Sequence, residues 1–376
     1  MKLNSLEINK SPADTKVVVA MSGGVDSSAV AALLKEEGYE VIGITLQLYD
    51  SGKISSKSSK TCCAGADILD AKKVAEQFDF PHYVLNYESL FRDSVIDDFA
   101  DSYLRGETPI PCIRCNQSVK FQDLLKVAKD LGADALATGH YVQRKLDENA
   151  VPQLHKGFDE GKDQSYFLFS TTRDQLNFLR FPLGGWTKEK TRSEAVRLGL
   201  EIADKPDSQD ICFVPDGDYS KIIEKIRPSA FKNGDIVDLD GKIIGSHNGI
   251  INYTIGQRRG LGISSKNPLY VVKIDAKTNQ VIVGGVSDLE KKELRIKELN
   301  WLGNKEYLTK PIKAQVRLRS SQQEVEAEIE VRSDQTAIVK LFNTTKSIAP
   351  GQACVIYDED VVLGGGWIVN SSIESD

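Results

Sequence analysis

Val17-Val18-Val19-Ala20-Met21-Ser22-Gly23-Gly24-Val25-Asp26-Ser27-Ser28 is the stretch that decides how this chain is read. An apolar run ends in a serine and two glycines, and an amphipathic stretch from Ala29 to Glu37 follows. The order is strand, tight loop, helix N-terminus. Such a loop points unpaired backbone N–H groups at the positive end of a helix dipole, which makes it an anion site. Gly23 and Gly24 let the backbone approach a phosphate, and Ser22, Ser27 and Ser28 add hydroxyl donors. No Gly-Lys-Ser/Thr follows, so this is not a Walker A loop, and the Gly-x-Gly-x-x-Gly dinucleotide spacing is absent. A glycine turn with capping serines is the bland alternative; the strand before it and the helix after it favour the anion site.

Working outward, strand and helix signals alternate through the first half. Lys16 to Met21 reads as a buried strand and Ser27 to Gly38 as a helix. Glu40 to Leu48, His82 to Leu85 and Asp134 to Thr138 read as further strands, and Asp67 to Phe78, Leu90 to Leu104 and Val119 to Leu131 as helices. Asp50 to Lys60 is a Ser/Lys/Gly-rich loop expected to be mobile. This alternation predicts an α/β fold with a doubly wound parallel sheet, whose ligands lie beyond the carboxyl ends of the strands. The Ser22 loop, the residues after Leu46, and Gly139-His140 all fall at such ends.

After about Pro206 the texture changes to Asn-Gly and Asp-Gly turns between short alternating segments, such as Ile236 to Leu239 and Gln280 to Val283. From Lys313 onward the hairpin pattern predicts a small β-barrel. The expected division is a nucleotide-binding domain over 1–212, a small central domain over 213–285 and a C-terminal β-barrel over 286–376.

The chain has 376 residues, a net charge of −6, and 40% hydrophobic and 27% charged residues. These values fit a globular protein of two or three domains. The polar stretch from Met1 to Lys16 lacks the apolar core of a signal peptide, and no apolar run is long enough to span a bilayer. A cytoplasmic location without membrane contact is the expectation. Basic residues cluster at Lys188 to Arg192, Arg258-Arg259 and Lys310 to Arg319; such runs are usually solvated faces.

The six cysteines are Cys62, Cys63, Cys112, Cys115, Cys212 and Cys354. Pro111-Cys112-Ile113-Arg114-Cys115-Asn116 reads as a loop between two helices, with Cys115 at a helix N-terminus where a thiol ionises more readily. Arg114 and Lys120 would add to that effect. A structural zinc site wants four ligands and finds three suitably spaced cysteines. A thioredoxin-type pair would leave Cys212 without a role. Sulfur chemistry uses Cys112, Cys115 and Cys212 together, either as persulfide and disulfide carriers or as ligands of an iron–sulfur cluster. Cys62, Cys63 and Cys354 are read as inert.

With these features in hand, the loop resembles the pyrophosphate loop of the ATP pyrophosphatase superfamily, and the whole chain resembles the bacterial tRNA-specific 2-thiouridylases. The resemblance rests on Ser22 to Ser28, Ala137 to Tyr141, Lys162 to Leu168, Ile211-Cys212-Phe213, Tyr253 to Gly260 and Pro350-Gly351-Gln352. It implies an ATP- and Mg²⁺-dependent sulfurtransferase that adenylylates C2 of a wobble uridine in tRNA and replaces its oxygen with sulfur. It implies ATP contacts from Ala20, Met21, Ser22, Gly23, Gly24, Val25, Asp26, Ser27, Leu46 and Gly139. It implies tRNA contacts from His140, Lys162, Asp163, Gln164, Arg317 and Gln352, with the central domain assisting. It also implies that Cys115 is the nucleophile, that Cys212 carries a persulfide, that the two end as a disulfide, and that a donor protein or cysteine desulfurase supplies the sulfur. The chain departs from the family pattern at Ile110-Pro111-Cys112, where many members carry Asn-Pro-Asp. The extra thiol brings it closer to thiolation enzymes that hold an iron–sulfur cluster on three cysteines.

Residue by residue, bland readings stand beside these. His140 could cap a strand end, Asp163 and Gln164 could cap a helix, and Arg317 and Arg319 could line a solvated barrel face. Tyr166, Phe167 and Phe169 read as core. Two rival functions remain: an ATP-pyrophosphatase ligase acting on a small metabolite, and a non-catalytic tRNA-binding or iron–sulfur sensing protein.

Overall fold

The computed structural model describes residues 3–49, 65–207, 211–214, 217–332, 335–346 and 348–370. The Asp50 to Lys60 loop, Cys62, Cys63 and residues 208–210 lie outside the described residues. The chain forms two compact units, Met1–Val95 with Cys112–Gly217, and Ile96–Pro111 with Asp218–Asp376.

The first unit is built on a parallel sheet. Its strands are β1 (Lys16–Ala20), β2 (Glu40–Gln47), β3 (His82–Asn86) and β4 (Ala135–Ala137). After a β5–β6 hairpin (Val142–Leu146 and Pro152–Lys156) comes the short β7 (Leu179–Arg180). The sheet order is β3-β2-β1-β4-β7, with every neighbouring pair parallel. Val17, Val18 and Val19 are fully buried, so both faces of β1 are covered. That explains the unbroken β-branched run, and each valine contributes about 2 kcal/mol by burial. On one face, Val17, Val19 and Val41 share an apolar cluster with α1 (Val25–Glu36) and with the helices Gly65–Gln77 and Lys188–Arg197. The helix Leu125–Asp130 packs against β4. The doubly wound expectation holds. The hairpin and β7 carried no legible signal, since both are short and β7 is only two residues long.

The strand order reverses at β1. The chain leaves β1 for β2 and β3 on one side, then returns to place β4 on the other. The crevice outside the carboxyl ends of β1 and β4 is therefore the topological switch point, where open α/β sheets bind ligands. The Ser22 loop leaves one of these strands and Thr138-Gly139-His140 leaves the other.

The second unit has a four-stranded sheet of order β10-β11-β8-β9, formed by β8 (Gly234–Val237), β9 (Ile243–His247), β10 (Tyr270–Asp275) and β11 (Gln280–Gly284). A barrel follows, made of β12 (Lys291–Trp301), β13 (Ile312–Arg317), β14 (Val325–Val331), β15 (Ala337–Thr345), β16 (Ala353–Asp358) and β17 (Val361–Ile368). Its order is β12-β15-β14-β13-β16-β17, and β17 pairs back to β12, so the barrel is closed. Ile296, Val316, Ile329, Val339 and Cys354 fill its core.

Segment 96–111 belongs to the second unit although it comes from the first half of the chain. Tyr103 stacks on Tyr219 with ring centroids 4.5 Å apart, and Arg227 pairs with Asp97 at 3.0 Å and Asp101 at 2.9 Å.

Candidate active site

The phosphate loop is shaped by its own short side chains. Gly24 caps α1 in an extended conformation, and Asp26 sits in the first turn, where a carboxylate complements the helix dipole. The Ser27 hydroxyl accepts from the Ser22 N–H at 3.1 Å and reaches the Gly24 carbonyl at 3.3 Å. Gly23 has φ +75°, and a Cβ there would lie 2.1 Å from the Asp67 carbonyl oxygen, so only glycine fits. A Cβ at Gly139 would lie 2.8 Å from Ser27 N, so the β4 end presses directly on the loop. Among the described residues, by contrast, a Cβ at Gly24 would meet only Ser22 Oγ, at 3.5 Å. Among the described residues, the loop is therefore clamped from the sides and open above the helix N-terminus.

A charge network braces it. Lys188 Nζ bonds both Asp26 oxygens, at 2.7 and 2.8 Å, and pairs with Asp207 at 2.8 Å. The Tyr141 hydroxyl donates to Asp26 at 2.7 Å. Asp207 also pairs with Lys162 at 2.7 Å and Arg192 at 3.1 Å. Burial alone would raise the Asp207 carboxyl, but Lys162 and Lys188 hold it at about 2. Lys205 Nζ ties the Gly23 carbonyl, at 2.9 Å, to Asp67 and Asp70, each at 2.6 Å. Lys188 was read as part of a solvated basic run. It is instead buried, at 5% exposure, because it opens the Lys188–Arg197 helix on the side facing Asp26. Lys188 and Lys205 are the site residues that sequence reasoning missed. The Lys188–Asp26 bond spans 162 positions in the chain, and no local pattern carries such a signal.

Of the remaining residues expected at ATP, Ala20 ends β1, Met21 is buried behind the loop, Val25 opens α1, and Leu46 is buried near the end of β2. The residues expected at tRNA are each engaged within the chain. His140 Nδ1 shares a 2.8 Å hydrogen bond with Thr138 Oγ1, and its ring meets Phe121 and Phe181 edge-on. Burial, with Lys120 nearby, pushes its imidazole down to about 3, so it is neutral. Asp163 Oδ1 accepts from the N–H groups of Gly157 and Ser165, and Gln164 Oε1 accepts from the Tyr141 N–H. Asp163 braces the turn before the short helix Ser165–Leu168, whereas Gln164, at the N-cap of that helix, makes no side-chain cap bond and holds Tyr141 instead. In the second unit, Arg317 pairs with Glu324 and lies over the Tyr357 ring at 5.3 Å, while Gln352 donates to the Thr108 carbonyl at 2.8 Å. Tyr166 and Phe169 are core residues, and Phe167 is half-buried.

The cysteine segment differs from expectation. Pro111–Arg114 is already a helical turn, and it runs straight into a π-helical stretch, Cys115–Leu124. Proline is accepted in a first helical turn, so Pro111 starts this helix rather than breaking the chain into a loop. Cys115 thus lies inside the helix, not at its N-terminus. It is buried at 6% exposure, while Cys112 is exposed. Burial pushes the Cys115 thiol up, Lys120 opposes this, and the neighbouring Cys112 adds to the rise. The expected activation by the helix dipole is overturned; only the Lys120 contribution remains. Cys212 is half-buried, and its carbonyl accepts from the Tyr49 hydroxyl at 2.7 Å. The adjoining Phe213 meets Phe91 edge-to-face at 5.8 Å. Among the described residues, no three His, Cys, Asp or Glu side chains converge into a metal-holding group, so Cys112, Cys115 and Cys212 do not form a cluster cradle in this conformation. No helix among the described residues is long and apolar enough to cross a membrane.

Three family models match the chain in order: the tRNA methyl transferase HUP domain over residues 15–216, the tRNA methyl transferase PRC-barrel domain over 220–285, and the aminomethyltransferase beta-barrel domain over 291–368. The chain is 56% identical over 377 residues to the tRNA-specific 2-thiouridylase MnmA of Rhodospirillum centenum, covering 98% of this chain and 95% of that protein. It is 58% identical over 361 residues to the protein of the same name from Rickettsia massiliae, covering 96% of this chain and 98% of its relative. The Roseobacter denitrificans protein of that name is 56% identical over 371 residues, covering 97% of each chain.

Proposed function

The chain belongs to the tRNA-specific 2-thiouridylase family, and from that premise we propose how its residues share the work. It is an ATP-dependent tRNA sulfurtransferase. The observation that carries the ATP half is the glycine loop at the strand-order switch, clamped by Gly139 and, among the described residues, open above the N-terminus of α1. We assign Ala20 to Ser27, Leu46 and Gly139 to ATP, with its phosphates over Ser22 to Ser27. Mg²⁺ usually rides on nucleotide phosphates with one or two carboxylates. Asp26 is the carboxylate placed to help hold it, and the ion would there neutralise phosphate charge.

The uridine is proposed to be the wobble base, flipped out of the anticodon loop to reach the thiols. Its C2 oxygen attacks the α-phosphorus of ATP and pyrophosphate leaves, which turns a poor leaving group into AMP. Cys212 carries the extra sulfur as a persulfide. The Cys115 thiolate attacks the Cys212 Sγ and releases hydrosulfide, which attacks C2. The C2–O bond breaks, AMP departs, and a Cys115–Cys212 disulfide remains, to be cleared by two electrons from a thiol reductant. Lys120 is the cation that favours the Cys115 thiolate. Lys162 is assigned a direct tRNA contact, with His140, Asp163 and Gln164 shaping that surface of the first unit, and Arg317 and Gln352 are assigned tRNA contacts on the second unit. The proposed division is an ATP-binding domain over 1–212, from which segment 96–111 joins the second unit, a central domain over 213–285 and a barrel domain over 286–376. A sulfur-donor protein loads Cys212.

Cys115→Ser and Cys212→Ser proteins are expected to release pyrophosphate from ATP in the presence of tRNA and to make no thiouridine. Asp26→Ala is expected to release none. Pyrophosphate release that ignores tRNA would instead mark a small-metabolite ligase, and no ATP turnover at all would mark a binding protein. Iron and acid-labile sulfide are measured on anaerobically purified protein. Stoichiometric amounts that vanish in Cys112→Ser would replace the persulfide route with a cluster on Cys112, Cys115 and Cys212. Absence of both in active protein would retain the persulfide.

A further inference from the structure

Cys112 has no task in the reaction as described, yet its setting is unusual. Cysteine is among the residues most often buried, and Cys112 is exposed. Three positions later on the same helical winding, Cys115 is buried. Helical geometry puts Cα atoms three residues apart at about 5 Å, inside the span a disulfide bridges. Burial pushes both thiols up and Lys120 works against the rise at each, and the two are close enough that Cys115 responds to Cys112. The persulfide route leaves Cys115 oxidised. In that disulfide the Cys115 sulfur is buried and Cys212 is half-buried, so the exposed Cys112 offers a reductant the most open line of attack.

We propose that Cys112 is the resolving thiol of this enzyme, carrying reducing equivalents from the surface to Cys115 after each turnover. The inference rests on the persulfide reading. The Cys112 thiolate attacks Sγ of Cys115 in the Cys115–Cys212 disulfide. The Cys112–Cys115 bond forms, the Cys115–Cys212 bond breaks, and Cys212 leaves as a thiolate ready for reloading. No electrons are gained or lost in this exchange. A dithiol protein then attacks the exposed Cys112 sulfur, supplies two electrons and takes the disulfide away, returning both thiols.

The test uses the full chain, loaded with sulfane sulfur and given ATP and substrate tRNA for one turnover without reductant. It is then acid-quenched, alkylated and mapped by peptide mass spectrometry. Wild type is expected to yield a Cys112–Cys115 disulfide with Cys212 alkylated. Cys112→Ser and Cys112→Ala should both yield Cys115–Cys212, and their steady-state rate with a dithiol-protein reductant should fall about tenfold. A Cys115–Cys212 disulfide in the wild type with Cys112 alkylated, or steady-state rates equal to wild type in both variants, would overturn the inference and leave the persulfide reading standing. If no cysteine pair is oxidised after a turnover and Cys212→Ser still thiolates tRNA, the persulfide reading fails and takes this inference with it.

Discussion

The phosphate loop and the cysteine helix lie in the same unit and are prepared to different degrees. The loop is finished before substrate arrives. Its turn is closed by Ser27, its sides are pressed by Gly139 and the Asp67 carbonyl, and its charges are matched by Lys188 and Lys205. The cysteine helix is not finished. Cys115 is sealed, its thiol is raised by burial, and Lys120 is the cation that works against that rise. Electrostatic stabilisation of a transferring phosphoryl group relies on fixed dipoles. A thiolate relay needs sulfurs that approach and separate, and the difference follows from that.

The comparison is broken most decisively at Gly139. Gly139→Ala forces a Cβ to 2.8 Å from Ser27 N, and neither atom belongs to a flexible side chain. We expect tRNA-dependent pyrophosphate release to fall about 100-fold or more, with persulfide loading of Cys212 intact. Equal loss of both would mean that the two halves are not independent.

Next comes Lys188→Met, which strips a buried partner from both Asp26 and Asp207. Breaking such a pair costs roughly 3 kcal/mol, read as a lower urea midpoint. The Asp207 contribution has a definite pH window. Its carboxyl is held below its ordinary value, so the stabilisation is present above about pH 4 and disappears as pH falls towards about 2. Wild type should lose stability across that window more steeply than Asp207→Asn.

On the cysteine side, Lys120→Met removes the cation that offsets burial at Cys115. Thiolation near pH 7 should drop roughly threefold and recover at higher pH, while pyrophosphate release stays level. An unchanged pH profile would remove Lys120 from the sulfur step. The smallest effect is expected at His140. Its imidazole sits at about 3, so the kcat/KM profile between pH 5 and 8 should show no inflection that His140→Asn abolishes.

The same contrast governs what the chain disclosed as a sequence. The loop was readable because strand, glycines and helix are contiguous and each obeys a local rule. The parallel, doubly wound sheet followed from the alternation of elements. Lys188 and Lys205 were not readable as loop partners, since their bonds to it reach across the fold. The cysteine segment was misread for a different reason. Pro111 carries two meanings, a break within a helix or the start of one, and only the packing that buries Ile113 and Cys115 selects the second. Segment 96–111 looked like more of the first domain; its place in the second unit is set by Tyr103, Asp97 and Asp101, whose partners lie more than 100 positions away.

Cys354 packs in the barrel core, where it is fully buried. Because the barrel closes on itself through β17 and β12, no frayed edge exposes that sulfur. A thiol reagent can capture it only when the barrel opens. The rate at which the Cys354 peptide gains an alkyl mark therefore works as an internal clock for opening of this domain. It can be read separately from the other cysteines, with no introduced probe and no dependence on catalysis.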